Sequence, residues 1–504
     1  MVYNILTYLE RAAARCPEKI ALADAQTSLT YGELRARAAQ IGTALIRRCG
    51  GVRRPVFVAI DRNVESVLLF LGAVYSGNFY VPVDLALPPA RLESMYETVQ
   101  PMAVLTAEET ALPFACTSPI LSLDELLAEA EDLAALDAVR AGSRDTDPLY
   151  CIFTSGSTGV PKGVVVGHRS VVDMAEGFTE VFGFGETAVF GNQAPFDFDV
   201  SVKDIYIALK NAATVEILEK KLFSFPKLLL ERLGERRVNT VIWAASALKV
   251  VSALRGLAKG GPEHLGTVCF SGEVLPCKAL ADWRAALPEA RFINLYGPTE
   301  ITCNCTYHVA SPGEGEAEPL PIGRAFPNCA VFLLDGDRPV TAPGEVGEIC
   351  VAGSCLALGY YNAPELTARA FCQNPLQSGY PERIYRTGDL GAYREDGLLR
   401  FAGRRDAQVK HMGHRVELGE IELCANAAAG VDCSACVFDE EKDKLVLFYQ
   451  GSAAEGELAS ALRDKLPKFM VPNQFVPVDG FPHTRTGKID RKKLMSDLKS
   501  ERKS

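Results

Sequence analysis

The segment TSGSTGVPKG, from Thr154 to Gly163, is the part of the sequence whose residue types most clearly suggest chemistry. Its glycines allow backbone N–H groups to turn inward, its hydroxyls add short donors, and Lys162 adds a mobile positive charge. Gly163 follows Lys162, whereas the Walker phosphate loop has Ser or Thr there. A flexible linker is the alternative, but it would not explain the final PKG. We predict a polyphosphate-binding loop of Thr154, Ser155, Gly156, Ser157, Thr158, Gly159 and Lys162.

A second segment, NLYGPTE, carries an aromatic ring beside oxygen ligands. Tyr296 can stack on a purine, and the Asn294 amide can hydrogen-bond to the purine edge. Thr299 and Glu300 then present oxygens of the kind that Mg²⁺ prefers when it bridges phosphates. The alternative is a Gly-Pro turn with a solvated glutamate.

Two further segments could complete a nucleotide site. Asp389, in TGDLG, can accept both hydroxyls of a ribose, although it could also be a plain turn aspartate. In GRRD, Arg404 can pair with phosphate oxygens and Asp406 is a possible pivot between domains. A solvated charge cluster is the alternative for that segment.

These segments, together with LTYGEL, YSGNFYVPVDLALPPARL, GRRDAQVKHMGHRVELGEIE and TRTGKIDR, follow one another across nearly all 504 residues. In this order they resemble the adenylate-forming superfamily, which comprises acyl-CoA synthetases, luciferases and the adenylation domains of nonribosomal peptide synthetases. The resemblance implies ATP and Mg²⁺ as cofactors and adds Gly272 and Gly297 to the ATP site. Glu300 is then the metal ligand.

The resemblance also implies a reaction in two steps. A carboxylate attacks the α-phosphorus of ATP to give an acyl-adenylate and pyrophosphate, and a thiol then displaces AMP. Lys488, in TRTGKID, would stabilise the negative charge of the first transition state, and Lys162 and Arg404 would share the remaining charge. Thr299 and Glu300 are the other predicted catalytic residues, through Mg²⁺. The C-terminal domain would then rotate about Asp406, so that Gly413 lets a phosphopantetheine arm pass.

The segment APFDFDVSVKDIYIAL, from Ala194 to Leu209, resembles the element of amino-acid-activating members in which an aspartate binds the substrate's α-ammonium. That aspartate is Asp199, with Asp197 as the alternative. A carboxylate in an apolar pocket needs a cation to meet it. The resemblance gives a small pocket without aromatic residues, lined by Asp199, Val200, Lys203, Ser246, Cys269, Ser271, Leu295, Cys303 and Asn304.

The pocket leaves the substrate open. The chain most resembles D-alanine–carrier-protein ligases and standalone peptide-synthetase adenylation domains, but Lys203 does not suit an alanine pocket. Lys203 could bind a second carboxylate of an acidic or other polar amino acid. Alternatively, it could reach solvent or pair with Asp204.

Two other functions compete with an amino-acid ligase that loads a separate carrier protein. An acyl-CoA ligase would give Asp199 no partner. A catalytically inactive nucleotide-binding or scaffold protein is expected to have lost Lys162, Glu300 or Lys488, and all three are present. We expect a cytoplasmic monomer.

The elements that must position these residues are predicted from hydrophobic patterning. Strand-like runs such as VFVAI, NTVIWA and TVCFSG alternate with amphipathic segments such as KLLLERLGERR, which favours an α/β fold with mostly parallel sheets. After Thr341, short strands and turns indicate a small strand-rich subdomain. The predicted domains are residues 1–402 and a mobile α+β domain, 403–504. Residues beyond Lys488 are expected to be frayed.

The bulk properties exclude several classes of protein. The net charge of −10 disfavours nucleic-acid binding, and no apolar run is long enough to span a membrane. The fifteen cysteines are scattered and odd in number, so we expect free thiols. The pairs Cys433/Cys436 and Cys303/Cys305 are not predicted to be metal or redox sites.

Overall fold

The computed structural model describes residues 2–156, 161–405, 408–482 and 489–501. The α-helices are α1 (Leu6–Arg15), α2 (Tyr31–Arg48), α3 (Val64–Tyr75), α4 (Pro89–Val99), α5 (Leu123–Leu127), α6 (Leu133–Ala141), α7 (His168–Phe182), α8 (Val200–Asn211), α9 (Pro226–Glu235), α10 (Ala245–Ala253), α11 (Cys277–Ala286), α12 (Pro364–Ala370), α13 (Leu418–Asn426), α14 (Glu455–Arg463) and α15 (Arg491–Glu501).

The strands are β1 (Ile20–Ala23), β2 (Ser28–Thr30), β3 (Pro55–Ala59), β4 (Phe79–Val83), β5 (Val104–Thr106), β6 (Ile120–Ser122), β7 (Pro148–Thr154), β8 (Lys162–Gly167), β9 (Val189–Asn192), β10 (Thr214–Ile217), β11 (Thr240–Ala244), β12 (Thr267–Ser271), β13 (Arg291–Tyr296), β14 (Thr306–Val309), β15 (Arg324–Ala325), β16 (Cys329–Asp335), β17 (Arg338–Val340), β18 (Val346–Gly353), β19 (Gly359–Tyr360), β20 (Phe371–Gln373), β21 (Arg383–Tyr393), β22 (Leu399–Arg404), β23 (Gln408–His411), β24 (His414–Glu417), β25 (Val431–Asp439), β26 (Lys444–Gly451) and β27 (Gln474–Pro477).

Two large sheets form the main body. The nine-stranded sheet has the order β15-β14-β13-β12-β11-β9-β10-β1-β2, and its run from β13 to β1 is parallel. The seven-stranded sheet has the order β19-β8-β7-β4-β3-β5-β6, and its run from β7 to β6 is parallel. Because parallel strands need crossover connections, helices cover these sheets, and α3 between them is buried over nearly its whole length. The predicted α/β fold is confirmed.

A third, antiparallel sheet forms the strand-rich subdomain that the sequence predicts. Its order is β17-β16-β18-β21-β20, with β22 paired to β21. It begins at Cys329, before the predicted start at Thr341. The strand β22 continues to Arg404, so Gly403 and Arg404 belong to the third sheet, although the sequence predicts that the mobile domain begins at residue 403. Backbone pairing to β21 explains the difference, since a strand at a sheet edge does not need apolar alternation.

The C-terminal region contains the hairpin β23–β24 and the sheet β25-β26-β27 with α13, α14 and α15. The prediction of a frayed tail is wrong for α15. Its Leu494 and Leu498 are buried against Ala435, Val446 and Phe448 of the sheet. Two leucines four residues apart lie on one face of a helix. This short apolar stripe is hard to recognise in the sequence because lysines flank it.

The parallel strands bring several predicted site residues to one edge of the nine-stranded sheet. Ser271 ends β12, Tyr296 ends β13, and Asp199 follows β9 just before α8. The carboxyl ends of parallel strands commonly form binding crevices. In the described part of the chain no helix is long and apolar enough to cross a membrane, and all fifteen cysteines are free, as expected.

Candidate active site

A cavity of about 660 Å³ lies at this edge of the nine-stranded sheet, against the C-terminal hairpin. Seven residues predicted from the sequence line it: Gly272, Asn294, Leu295, Tyr296, Gly297, Asp389 and Arg404. The cavity therefore brings together residues from segments that are far apart in the sequence.

Asp389, the predicted ribose ligand, is in contact with Tyr296, the residue predicted to stack on the purine. The Tyr296 hydroxyl donates to the Asp389 carboxylate at 2.6 Å, and Arg404 forms an ion pair with the same carboxylate. Arg404 is placed for this pair because β22 and β21 align Arg404 opposite Asp389. The Tyr296 ring remains on the cavity wall.

Gly272 and Asn294 shape the wall of the cavity. Gly272 has φ +92°, and no described atom lies within 4 Å of the position that a Cβ would occupy, so it exposes backbone to the cavity. Asn294 uses its amide nitrogen to donate to the Pro321 carbonyl oxygen at 2.8 Å. That bond fixes the orientation of the Asn294 side chain, which otherwise would rotate freely about χ2.

Glu300 is the most heavily paired carboxylate of the site, and its side chain is fully buried. It receives two hydrogen bonds from one nitrogen of Arg415, both at 2.9 Å, and one from the Tyr360 hydroxyl at 2.8 Å. The Lys162 ammonium lies 3.4 Å away. Burial alone would raise the pKa of Glu300, but Arg415 and Lys162 together hold it well below its usual range.

The described ends of the predicted phosphate loop surround this carboxylate. Lys162 begins β8, where burial and the nearby Arg415 lower its pKa. Ser155 donates its hydroxyl to the Arg415 carbonyl oxygen at 2.8 Å. The buried Thr154 hydroxyl has no partner among the residues that the structure describes. Gly156 is described, whereas Ser157, Thr158 and Gly159 lie outside the described residues.

The turn of the β23–β24 hairpin enters the site. Gly413 has φ +83°, and its N–H donates to Glu273 at 2.7 Å. Glu273 also lies 3.6 Å from the Lys249 ammonium, which pairs with Asp443 of the C-terminal region at 2.7 Å. A Cβ on Gly413 would lie 2.9 Å from the Ser246 hydroxyl. This turn therefore tolerates almost no added volume.

A second ion pair holds the C-terminal region against the main body. Arg91 of α4 meets Glu420 of α13 at 2.6 Å, and their side chains are 9% and 1% exposed. Burial raises the pKa of Glu420, and the Arg91 guanidinium opposes that change. The contact between the C-terminal region and the main body, called the docked arrangement below, thus depends on buried charges.

The predicted amino-acid pocket lies around the start of α8. Asp199 is buried, and its backbone oxygen accepts a hydrogen bond from the Cys303 thiol at 3.0 Å. Burial raises the pKa of Asp199, opposed by Lys203, Lys410 and the Thr299 hydroxyl. The alternative, Asp197, lines a different cavity with Thr154 and Phe198. Asp199 stays the predicted ligand of the α-ammonium, with Asp197 as the alternative.

The other wall of the pocket comes from three elements. Lys203 on α8 donates to Asn304 at 2.8 Å and to Ser271 at 3.3 Å. Val200, Cys269, Leu295 and Cys303 are buried small or aliphatic residues, and burial raises the pKa of the Cys269 thiol to about 12. Cys303 has φ +77°, a strained conformation for a residue with a Cβ that turns the chain back towards Asp199. Ser246 lies farther towards Gly413.

Besides Ser157, Thr158 and Gly159, two more predicted residues cannot be placed, because Lys488 and Asp406 lie outside the described residues. Their roles stay predictions.

Sequence reasoning missed several residues of the site: Arg91, Lys249, Glu273, Tyr360, Lys410, Arg415 and Glu420. Lys410 lines the cavity, and burial, followed by the nearby Arg415, lowers its pKa. Lys410 and Arg415 lie within the segment GRRDAQVKHMGHRVELGEIE, and their positions on either side of Gly413 could have identified them. The others act through contacts between distant segments, for which the sequence gives no signal.

Comparisons with known proteins agree with this geometry. The model of the family described as AMP-binding enzyme matches residues 9–361. The chain is 31% identical to the D-alanine–D-alanyl carrier protein ligase of Bacillus cereus, over 98% of this chain and 99% of that one. It is 31% identical to tyrocidine synthase 1 of Brevibacillus parabrevis over 97% of this chain, and it spans 45% of that longer protein. Bacitracin synthase 1 of Bacillus licheniformis is 33% identical over 96% of this chain, which spans 9% of that protein.

A solved structure of a holo NRPS protein containing adenylation and PCP domains, bound to a vinylsulfonamide inhibitor, has a TM-score of 0.87 and 28% identity. The match covers 98% of this chain and 84% of that one. These relatives support the class predicted from the sequence, an AMP-forming amino-acid ligase. The chain belongs to the AMP-binding enzyme family.

Proposed function

We propose that this protein activates an amino acid with ATP as an aminoacyl-adenylate and transfers the aminoacyl group to the phosphopantetheine thiol of a separate carrier protein. One observation carries the proposal: the cavity that contains Tyr296 and Asp389 is also lined by Glu273, which accepts a hydrogen bond from the N–H of Gly413. A nucleotide end and an entrance for a thiol arm in one cavity suit both half-reactions. That the protein works as a cytoplasmic monomer stays a prediction.

The nucleotide end has a place for each part of ATP. The Tyr296 ring would stack on adenine, and Asp389 would accept the ribose hydroxyls once Arg404 and Tyr296 yield those positions. Lys162 and the loop from Thr154 would bind the β- and γ-phosphates, which leave as pyrophosphate. The Thr154 hydroxyl, buried and without a partner among the described residues, supports this assignment, because such a donor is costly.

The residues also fit Mg²⁺. The donor set is Glu300, with Thr299 beside it, and the low pKa of Glu300 keeps its carboxylate ionised. When bound, Mg²⁺ would neutralise charge on the phosphates. Arg415 occupies the same carboxylate in this conformation, so Glu300 can serve a metal only after Arg415 withdraws.

We propose that the C-terminal domain moves as a unit about Asp406, while Gly403 and Arg404 remain paired with β21, and that this conformation suits thiol transfer. The Gly413 N–H contacts Glu273 on the cavity wall, and Arg415 supplies the positive charge that Glu300 would otherwise receive from the metal. In the other conformation Lys488 would stabilise the charge that develops as the substrate carboxylate attacks the α-phosphorus. Lys488→Ala should then lose adenylation and still transfer preformed adenylate to thiol; retained adenylation would overturn this role.

Asp199 supports an amino acid as the acyl donor. A buried carboxylate gives an α-ammonium a strong partner and a fatty or aryl acid none, which disfavours an acyl-CoA ligase. D-alanine is the substrate suggested by the ligase relatives, and an acidic or other polar amino acid is the alternative.

An ATP–pyrophosphate exchange screen over D- and L-amino acids tests the first step, and mass spectrometry of a phosphopantetheinylated carrier protein tests the second. Asp199→Ala should lose exchange with every amino acid, whereas Asp145→Ala, which removes a surface partner of Arg169, should not. Wild-type protein that exchanges with no amino acid would overturn the proposal.

A further inference from the structure

The side chain of Lys203 is buried and makes no direct ion pair with a described carboxylate. It is 0% exposed, which excludes the possibility that it reaches solvent. Its two hydrogen-bond acceptors, Asn304 and Ser271, are both neutral. Among the described residues no carboxylate lies within 4.0 Å of the Lys203 ammonium, the distance of an ion pair. A buried ammonium of this kind is costly unless a counter-charge reaches it.

Asp204, the neighbour of Lys203 on α8, does not supply that charge. Its carboxylate turns to the Asn192 amide, which donates to it at 2.9 Å. Burial raises the pKa of Asp204 to about 7, so it is partly protonated near neutral pH. The possibility that Lys203 pairs with Asp204 is therefore not realised.

Asn304 adds a second unmet donor at the same place. Its Oδ1 accepts from Lys203, and an ammonium can only donate, so the orientation of the amide is fixed with Nδ2 pointing the other way. Nδ2 is buried and has no hydrogen-bond partner among the described residues. The Asn304 side chain thus accepts a hydrogen bond from Lys203 and has an N–H group without a hydrogen-bond partner among the described residues.

Binding of a substrate α-ammonium to Asp199 would leave the positive charge of Lys203 less compensated. The charge of Lys203 acts through space on Asp199, where it opposes the rise in pKa that burial causes. Once a substrate ammonium neutralises Asp199, the positive charge of Lys203 loses that compensation. The substrate itself must then bring an acceptor, and only an anionic one restores neutrality.

We infer that the substrate is an acidic amino acid, whose side-chain carboxylate receives the Lys203 ammonium and the Asn304 N–H. The inference rests on the proposed function. An amide side chain would satisfy the hydrogen bonds but leave the charge uncompensated. Alanine would satisfy neither, so alanine is the poorest of the three classes.

The test is ATP–pyrophosphate exchange with both enantiomers of aspartate, glutamate, 2-aminoadipate, asparagine, glutamine and alanine. The best acidic amino acid should exceed alanine in kcat/KM by about 100-fold or more, since a site built around polar groups rejects a substrate that leaves them unpaired. Lys203→Met should remove most of that preference. Lys210→Met is the matched control on the same helix, where Lys210 pairs with Glu176, and it should change nothing.

A second variant keeps the inference testable if Lys203→Met folds poorly. Asn304→Asp places a carboxylate of the chain itself beside Lys203. Exchange with the acidic substrate should then fall by about 100-fold while exchange with alanine is retained or rises. A general structural defect would lower both.

The outcomes separate this inference from the proposed function. Exchange with alanine or an amide amino acid, but with no acidic one, overturns the acidic substrate and leaves the ligase function standing. Exchange with no amino acid overturns both. An acidic preference that survives in Lys203→Met and Asn304→Asp also overturns the assigned contacts.

Discussion

Glu300 and Lys203 are both charged residues without exposed surface, but their surroundings differ. Glu300 meets Arg415, Lys162 and the Tyr360 hydroxyl, so its charge is compensated within the chain. Lys203 meets two neutral oxygens. At the phosphate end Arg415 of the hairpin compensates the charge of Glu300 within the chain. At the amino-acid end the proposed acidic substrate would supply the carboxylate that meets Lys203.

The largest effect is expected from removing the charge of Glu300. Glu300→Gln should lower ATP–pyrophosphate exchange by about 100-fold or more, because the carboxylate proposed to hold Mg²⁺ becomes a neutral amide. Exchange at saturating substrate, measured over a range of Mg²⁺ concentrations, checks this. Glu345→Gln, at an exposed ion pair with Arg338, is the matched control. Unchanged exchange in Glu300→Gln would show that its pairing with cations serves only the docked hairpin.

The second prediction concerns the turn that borders the cavity. Gly413→Ala should slow aminoacyl transfer to a carrier protein by about 10-fold or more and leave pyrophosphate exchange within about twofold. The added Cβ would lie 2.9 Å from Ser246, and φ +83° is unfavourable for alanine. Single-turnover transfer from isolated adenylate measures the step directly.

Gly397→Ala is the control for Gly413→Ala. Gly397 also has a positive φ, +79°, but no described atom lies within 4 Å of the added Cβ. The two variants share the backbone penalty and differ in the contact. Equal effects on transfer would show that the contact with Ser246 is unimportant.

Residues that are grouped in short segments of the chain could be predicted from the sequence. Asp199, Glu300, Asp389 and Lys162 lie in local segments whose residue types indicate their chemistry. The structure places Lys162 beside Glu300 and Asp389 beside Tyr296. The parallel architecture followed from alternating strand-like and helical patterns. Local composition carries this information because the nucleotide-type residues are grouped in short loops.

Contacts between distant segments could not be predicted in that way. Arg415 is remote from Glu300 in sequence, and nothing at either position reveals that the hairpin brings them together. The same holds for Arg91 with Glu420 and for the unmet Asn304 amide, which is visible only once Lys203 fixes its orientation. The polar composition around Arg404 predicts a domain boundary, but pairing with the distant strand β21 determines the structure there.

The docked arrangement itself is the subject of the third prediction. The double variant Arg91→Met, Glu420→Met removes a buried ion pair without leaving a single buried charge. Transfer should fall by about fivefold, because the docked conformation becomes less populated, while exchange stays constant or rises. The ratio of the two rates in one preparation is the measurement. A parallel loss of both rates would mean that the pair stabilises the fold and does not select a conformation.

The smallest effect is expected from Asp204, which tests whether Lys203 truly lacks a counter-ion in the chain. Burial raises the pKa of Asp204 to about 7 in the folded protein, above the value of about 3.9 in an unfolded chain. Between these values only the folded state keeps the proton, so its contribution to stability is lost as pH rises towards 7. The slope is at most about 1.4 kcal/mol per pH unit.

Asp204→Asn cannot titrate and keeps an oxygen that can accept from Asn192, so the difference between variant and wild type isolates this group. From pH 5.5 to pH 8 the wild type should lose about 2 kcal/mol of unfolding free energy relative to the variant, measured by urea denaturation. A flat difference would mean that Asp204 stays ionised beside Lys203 throughout. The charge of Lys203 would then be balanced within the chain, and the argument that the substrate must supply a carboxylate would lose its basis.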